Sequence, residues 1–515
     1  MKKRLAVMLL AAGCMAVAVS GCGNQKEQAA EEVNVQNTEA EETADQTEGS
    51  GEVISLDASI LVQGYEWGPG VPKIVLDLGQ EVSELNVGEC TVTTAEVERT
   101  VTDVYLCDAQ GERTDEASGY AAIEMETTSE VSGSPFVYDR TVKMNKWSEK
   151  YEVTVDCPDF LMDGNAAELM VEQDCITERI CPDTDMFAYR DSFTGTYSNS
   201  LTGEEDELTL HMAAFEPETI KDGEKNPLLI WLHGQGEGGT DPDIAILGNE
   251  VSALAKEEIQ SRFISGDESG AYVLVVQCET YWMDEGDGTN GKGSGISRYT
   301  DILMDTIKSY VDSNPDIDTR RIYLGGCSNG GYMTMNMIIS HPNYFAAAYP
   351  CCEAYAFYEF ERNEDGSYHT GEDDGTGTPV VAMTDKRWMS EEKISDLKDF
   401  PLWFVISADD PIVDPEKYVF PTYQALVKAG AENAWLSVFE NVKGTDSPET
   451  MYVGHFSWIY LLNNQVTKVQ DKEAIISAEN QETYGITPNN DGGGSLSVGE
   501  YSDLFDWLNA QKKQG

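Results

Sequence analysis

The sequence predicts an α/β domain built on a mostly parallel sheet, preceded by a β-sandwich. Three observations predict it. From about Val53 to Pro182, short alternating or β-branched runs are broken by turn residues at spacings of about ten, as in Lys73-Ile74-Val75-Leu76 and Tyr151-Glu152-Val153-Thr154-Val155. After about Asp185, apolar runs of strand length alternate with helical stretches. Apolar residues make up 41% of the 515, enough for sizeable cores, yet no stretch beyond the N-terminus is long and apolar enough to span a bilayer.

The first element, residues 1–21, is a leader. Lys2, Lys3 and Arg4 precede an apolar run from Leu5 to Val19, which has the length of a signal-peptide core and is short for a membrane span. Val19-Ser20-Gly21-Cys22 then resembles the bacterial lipobox, whose cysteine is lipidated and becomes the first mature residue. That reading expects an extracytoplasmic, membrane-anchored lipoprotein, at the cell surface or in the periplasm, held by a lipid on Cys22. The alternative is an ordinary signal peptide cleaved nearby. Residues 22–52 are rich in Glu, Gln, Thr and Ala and have no aromatic residue, so they read as a disordered acidic linker.

Charge narrows the partners. A formal net charge of −58 repels phosphate backbones, which argues against nucleic acid, and disfavours anionic lipids and strongly anionic substrates. With Cys14 and Cys22 set aside, nine of the 11 cysteines remain, so at least one thiol is free unless chains pair. Cys157, Cys175 and Cys181 lie close enough in sequence to supply one bridge, and the adjacent Cys351 and Cys352 read as packed and unbridged. No Cys/His cluster has zinc-ligand spacing.

Residues 53–184 form the β-sandwich. They hold no recognisable catalytic cluster and read as a structural or spacer module, with a substrate-binding or dimerising role as the alternative. Residues 185–515 form the α/β domain. Its strands are expected at Leu228–Leu232, Tyr272–Val276, Ile322–Gly325, Leu402–Ile406 and Trp435–Val438. One helix carries Leu303, Ile307, Tyr310 and Val311 on a single face, and another runs from about Pro415 to Lys428 and stops near Gly430.

The chemistry lies on this second half. The third strand runs into Gly326-Cys327-Ser328-Asn329-Gly330-Gly331, and a helix is expected from about Tyr332 to Ser340. Strand, sharp Gly-x-Ser-x-Gly turn and helix are what a nucleophile elbow needs, which makes Ser328 the candidate nucleophile. A hydroxyl needs a base. Of the five histidines, only His455, in Gly454-His455-Phe456, follows the last expected strands and leaves room for an acid between it and Ser328. His211 falls in a strand, His233 in a Gly-rich loop, His341 at the end of the elbow helix, where it reads as a capping cation, and His369 in an acidic loop.

The acid should follow a strand, and Leu402–Ile406 leads into Ser407-Ala408-Asp409-Asp410-Pro411-Ile412-Val413. The frame small-x-x-Asp-x-x-Val selects Asp410, with Asp409 and then Asp414 as competitors. An oxyanion needs backbone N–H donors. One is expected from Asn329, after the nucleophile. The other comes from His233-Gly234-Gln235-Gly236-Glu237-Gly238-Gly239, with Gln235 as the donor and Gly236 as the alternative. No Lys-Ser/Thr follows this loop, which argues against nucleotide binding.

These motifs, together with Trp231-Leu232 before the Gly-rich loop, Arg321-Ile322-Tyr323-Leu324 before the elbow and Ser457-Trp458 after His455, carry a resemblance. The chain from about Asp185 onward resembles bacterial α/β-hydrolase esterases related to the prolyl oligopeptidase catalytic domain. Several of these carry an N-terminal immunoglobulin-like domain. The resemblance implies a Ser/Asp/His triad, no metal, no cofactor, and a small-molecule or oligosaccharide ester as substrate, feruloyl and acetyl esters of carbohydrate included. A peptidase with the same triad is the alternative, and a non-catalytic surface-binding lipoprotein is a second. Tyr281 and Trp282 are candidates for stacking on an aromatic or sugar group, or else for core packing. Asp284, Glu285 and Asp287 are of the residue types that ligate calcium, but they do not have EF-hand spacing. Two insertions, around 363–377 and 480–499, stand outside the shared pattern.

Overall fold

The computed structural model describes residues 52–173, 178–217, 225–264, 269–373, 379–478 and 484–513. The leader, the lipobox with Cys22 and the linker up to Gly51 lie outside the described residues.

Alternation builds the first half. In the strand Val153–Met162, Val153, Val155, Cys157, Phe160 and Met162 are buried, and the inward side shifts register between Cys157 and Phe160. Pro158 cannot donate to a ladder and falls in that irregularity. One sheet orders Glu52–Ser55, Asn165–Gln173, Val153–Met162, Thr91–Thr94 and Val97–Arg99. The other orders Arg179–Ile180, Asp57–Tyr65, Gly68–Val82, Ser118–Met125 and Val101–Cys107. Ile60, Val62, Ile74, Leu76, Val155 and Leu169 are fully buried in the core that the two sheets contribute to. A disulfide joins Cys90 to Cys157. This corrects the pairing expected near Cys181, which is a free, buried thiol; Cys175 lies outside the described residues.

The chain leaves the sandwich through a short helix, Pro182–Asp185, and enters a second sheet. Its strands are β1 (Tyr189–Ser198), β2 (Glu205–Phe215), β3 (Asn226–Leu232), β4 (Tyr272–Cys278), β5 (Ile317–Cys327), β6 (Ala347–Cys351), β7 (Leu402–Ser407) and β8 (Ala434–Phe439). The order in space is β1-β2-β4-β3-β5-β6-β7-β8, antiparallel across β1, β2 and β4 and parallel from β4 onward. Every residue of β3 and of β4 is buried, as expected of strands covered on both faces. Helix α1 (Thr300–Ser313) buries Ile302, Leu303, Ile307, Tyr310 and Val311, and α2 (Asn329–Ser340) follows β5 directly. Helix α3 (Val419–Lys428) ends as expected before Gly430, at φ 89°.

This order places a switch point between β3 and β5. The chain leaves β3 toward β4 on one side, then returns to β5 on the other. The crevice at their carboxyl ends is where open α/β sheets bind ligands, and the loop 233–239 and the turn at Ser328 both open there.

The two halves share packing. Ile244 and Leu247 of the helix Pro242–Leu247 belong to the sandwich core. Glu66, at the tip between two sandwich strands, accepts the N–H groups of Thr445 (2.6 Å) and Asp446 (3.2 Å) and the hydroxyl of Tyr452 (3.0 Å). The insertion between β6 and β7 folds back in short paired strands, Tyr358–Phe360 with Met383–Arg387 and Thr370–Asp373 with Pro379–Val381. Glu285 pins it through Arg362 (3.1 Å) and the hydroxyl of Tyr368.

Candidate active site

Strand β5 ends at Cys327, and the chain turns sharply into α2. Ser328 takes the turn at φ 53°, ψ −111°, a backbone conformation that costs a non-glycine residue about 1–3 kcal/mol. The positions two residues to either side of it must be glycine. A Cβ on Gly330 would stand 1.9 Å from the carbonyl oxygen of Leu232, and one on Gly326 2.5 Å from the same atom. The elbow is therefore pressed against the end of β3, the strand that launches the Gly-rich loop. Ser328 is held by its own N–H, which donates to the Cys351 carbonyl at 3.0 Å, and it stays half-exposed.

The structure brings three distant residues together. His455 Nε2 lies 2.9 Å from Ser328 Oγ, and His455 Nδ1 lies 2.8 Å from Asp410 Oδ2. The other oxygen of Asp410 accepts the N–H groups of Ile412 (2.8 Å) and Val413 (2.9 Å), so the carboxylate cannot turn away. Asp409 is engaged elsewhere, accepting the Ser407 hydroxyl at 2.5 Å. Asp414 accepts the Glu416 N–H and pairs with Lys417. An imidazole hydrogen-bonded to a carboxylate on one side and a hydroxyl on the other can take a proton from that hydroxyl while its positive charge is stabilised.

The loop 233–239 faces the elbow. His233 is fully buried. Its Nδ1 lies 2.8 Å from the Gly234 carbonyl, which can only accept, so Nδ1 carries the proton and Nε2 accepts the Cys278 N–H at 3.2 Å. Burial pushes its pKa down to about 4, which keeps the ring neutral. Through these two bonds it ties the loop to the end of β4. Glu237, which the sequence reading left without a role, accepts the Gly234 N–H at 2.8 Å, and burial raises its pKa to about 8. The two predicted oxyanion residues are tied side chain to side chain. Asn290 Nδ2 donates to Gln235 Oε1 at 2.7 Å, and Asn329 Nδ2 donates to Asn290 Oδ1 at 2.7 Å. Among the described residues, no group accepts from the backbone N–H of Gln235, Gly236 or Asn329.

The predicted aromatic contacts are corrected. Trp282 is fully buried between the rings of His233 (5.2 Å) and Tyr299 (5.8 Å), with no face left for a ligand. Tyr281 is buried too, and its hydroxyl donates to the Val142 carbonyl of the sandwich. The first apolar residues after β4 turn inward. His341 follows α2 as a cap, and burial lowers its pKa, which works against the cation expected there. The Asp284 carboxylate is taken by the N–H groups of Gly286 and Gly288 and by the Thr280 hydroxyl.

Comparison with known proteins bears on the fold. Residues 57–166 match the esterase Ig-like N-terminal domain, and residues 281–445 match the prolyl oligopeptidase family. The structure of a thermostable esterase is 21% identical, covers 79% of this chain and 96% of that one, and superposes with a TM-score of 0.56. An acylaminoacyl peptidase is 17% identical over 61% of this chain and 46% of that one, with a TM-score of 0.34. A stretch of 72 residues is 38% identical to poly(3-hydroxyalkanoate) depolymerase C of Paucimonas lemoignei, which is 13% of this chain and 15% of that protein's length. The architecture is an immunoglobulin-like domain followed by an α/β-hydrolase domain of the esterase and prolyl-oligopeptidase type.

Proposed function

We propose that this hydrolase is a serine carboxylic ester hydrolase that works through an acyl-enzyme on Ser328. The observation that carries the reading is the relay at 2.9 Å and 2.8 Å from Ser328 through His455 to Asp410, with Ser328 held in a strained backbone turn. His455 takes the Ser328 proton as Oγ bonds to the ester carbonyl carbon. The oxyanion rests on the N–H groups of Asn329 and Gln235, with Gly236 as the alternative second donor. The carbon–alkoxide bond breaks, and His455 returns the proton to the departing alcohol. His455 then deprotonates a water, which releases the acid and restores Ser328. No metal or cofactor enters these steps.

The substrate class in this reading is an ester of a small molecule or an oligosaccharide, including carbohydrate-linked acyl and feruloyl esters. The match of the sandwich to an esterase N-terminal domain supports it. The match of the second half to the prolyl oligopeptidase family favours the competing reading, a peptidase. The test is turnover of aryl esters against peptide anilides, together with fluorophosphonate labelling. Ser328→Ala should abolish labelling and lower ester turnover at least about 10³-fold. Ester hydrolysis that survives Ser328→Ala would refute the mechanism, and faster cleavage of peptide anilides than of aryl esters would replace esterase by peptidase.

The charged start, apolar run and lipobox-like residues 19–22 support an extracytoplasmic site of action, anchored by a lipid on Cys22. Cells fed an alkyne-tagged palmitate should label the full chain, and Cys22→Ala should lose the label and leave the membrane fraction. Equal labelling of both chains would discard the anchor.

A further inference from the structure

The sandwich does more than precede the catalytic half. Between the strands Ser118–Met125 and Val153–Met162 lies a separate hairpin, Phe136–Asp139 paired with Met144–Trp147. Its second strand leans on the Gly-rich loop. Asn145 sits opposite Tyr138 in the ladder, but its N–H points out of the hairpin and donates to the carbonyl of Gly236 at 2.6 Å. The side chains of Asn145 and Tyr138 lie 3.7 Å and 3.8 Å from where a Cβ on Gly236 would stand, and Met144 lies 3.0 Å from that point on Gly238. Trp147 donates its indole N–H to Asp241, just past the loop, at 2.8 Å. From the catalytic side, the Tyr281 hydroxyl donates to Val142 at the hairpin tip.

These contacts meet a physical need. Gly236 takes φ 106° and Gly239 takes φ 138°, so the loop contains residues with several accessible backbone wells. Oxyanion donors work only when their N–H groups are already aimed, within a few tenths of an ångström, at the developing charge. Fixing the Gly236 carbonyl fixes the plane of the peptide that follows the Gln235 and Gly236 N–H groups. The Asn290 bridge holds the same loop from the other side through the Gln235 side chain.

We propose that this hairpin is a working part of the active site, with Asn145 a positioning residue that acts through Gly236 on the oxyanion donors. The inference rests on Ser328 being the nucleophile. The test uses the full chain, p-nitrophenyl acetate as substrate and phenylboronic acid as a mimic of the tetrahedral intermediate. Asn145→Pro removes the outward N–H together with the amide side chain beside Gly236, and leaves the hairpin's own ladder bonds in place, since the ladder does not use that N–H. The expected result is a fall in kcat of about 10-fold to 100-fold with KM within about 2-fold, and a matching rise in the inhibition constant of phenylboronic acid. A general loosening of the fold would not produce that match. A folded Asn145→Pro enzyme with wild-type kcat and wild-type boronate affinity would overturn the proposal. If Asn145→Pro does not fold, Tyr281→Phe decides instead. It deletes one hydroxyl at the hairpin tip and should lower kcat about 3-fold to 10-fold; an unchanged kcat would overturn the proposal. Loss of all Ser328-dependent turnover in the wild-type chain would sink the hydrolase reading itself, whereas normal wild-type turnover with unaffected variants sinks only this inference.

Discussion

Single residues carried very different amounts of information. Ser328 is readable because its turn demands glycine on both sides, and His455 because four other histidines fall in unsuitable elements. Asp410 differs from Asp409 by one place in a frame, and only coordinates show that Asp410 Oδ2 faces the imidazole while Asp409 accepts from Ser407. Trp282 was not readable, since an aromatic residue after a strand looks the same whether it turns outward or, as here, packs on His233. Glu237 was missed because a glutamate in a Gly-rich loop looks solvated; its burial depends on chain brought in from elsewhere. It also makes a prediction. Its folded pKa of about 8 lies above the ordinary 4.5, so the folded state holds a proton that the unfolded chain releases. Its contribution therefore weakens stability progressively as pH rises from about 4.5 to about 8, and is absent below that window. The midpoint of denaturant unfolding, measured from pH 5 to 9, should fall less steeply with pH in Glu237→Gln than in wild type. Parallel curves would show that the carboxyl ionises freely.

Strands and helices were legible where they are buried and periodic. β3, β4, β5, β7 and β8 stand within a few residues of the expected runs, because a strand covered on both faces is apolar throughout. β1 and β6 escaped notice. β1 is an edge strand with mostly polar residues, and β6 has only five residues. The loop between β8 and His455 shows what periodicity cannot reveal. Its backbone N–H groups at Thr445 and Asp446 are satisfied by Glu66, nearly four hundred positions earlier. Glu66→Ala would leave these donors and the Tyr452 hydroxyl without their acceptor. The expected cost is about 1–3 kcal/mol of stability. Ester turnover should also fall several-fold, because this loop delivers Gly454 and His455. Unfolding and turnover indistinguishable from wild type would show that the loop holds itself.

At the scale of the molecule, the presence of two fold types, a β-sandwich and then an α/β domain, was legible from the change of period along the chain. Their union was not, because Ile244 and Leu247 completing the sandwich core, and Asn145 reaching Gly236, are meetings between distant segments that leave no local pattern. Sulfur is divided between the halves in a way that has its own consequence. The bridge from Cys90 to Cys157 closes a loop of 67 residues in the sandwich, a cross-link worth about 4 kcal/mol on chain-entropy grounds. Cys278, Cys327, Cys351 and Cys352 in the other half are free and buried, and burial raises the Cys278 and Cys327 thiols well above their ordinary range. Among the described residues, reduction could cut a cross-link in the sandwich alone, since the cysteines of the other half are buried thiols. The chemistry sits in the half whose fold does not lean on that cross-link.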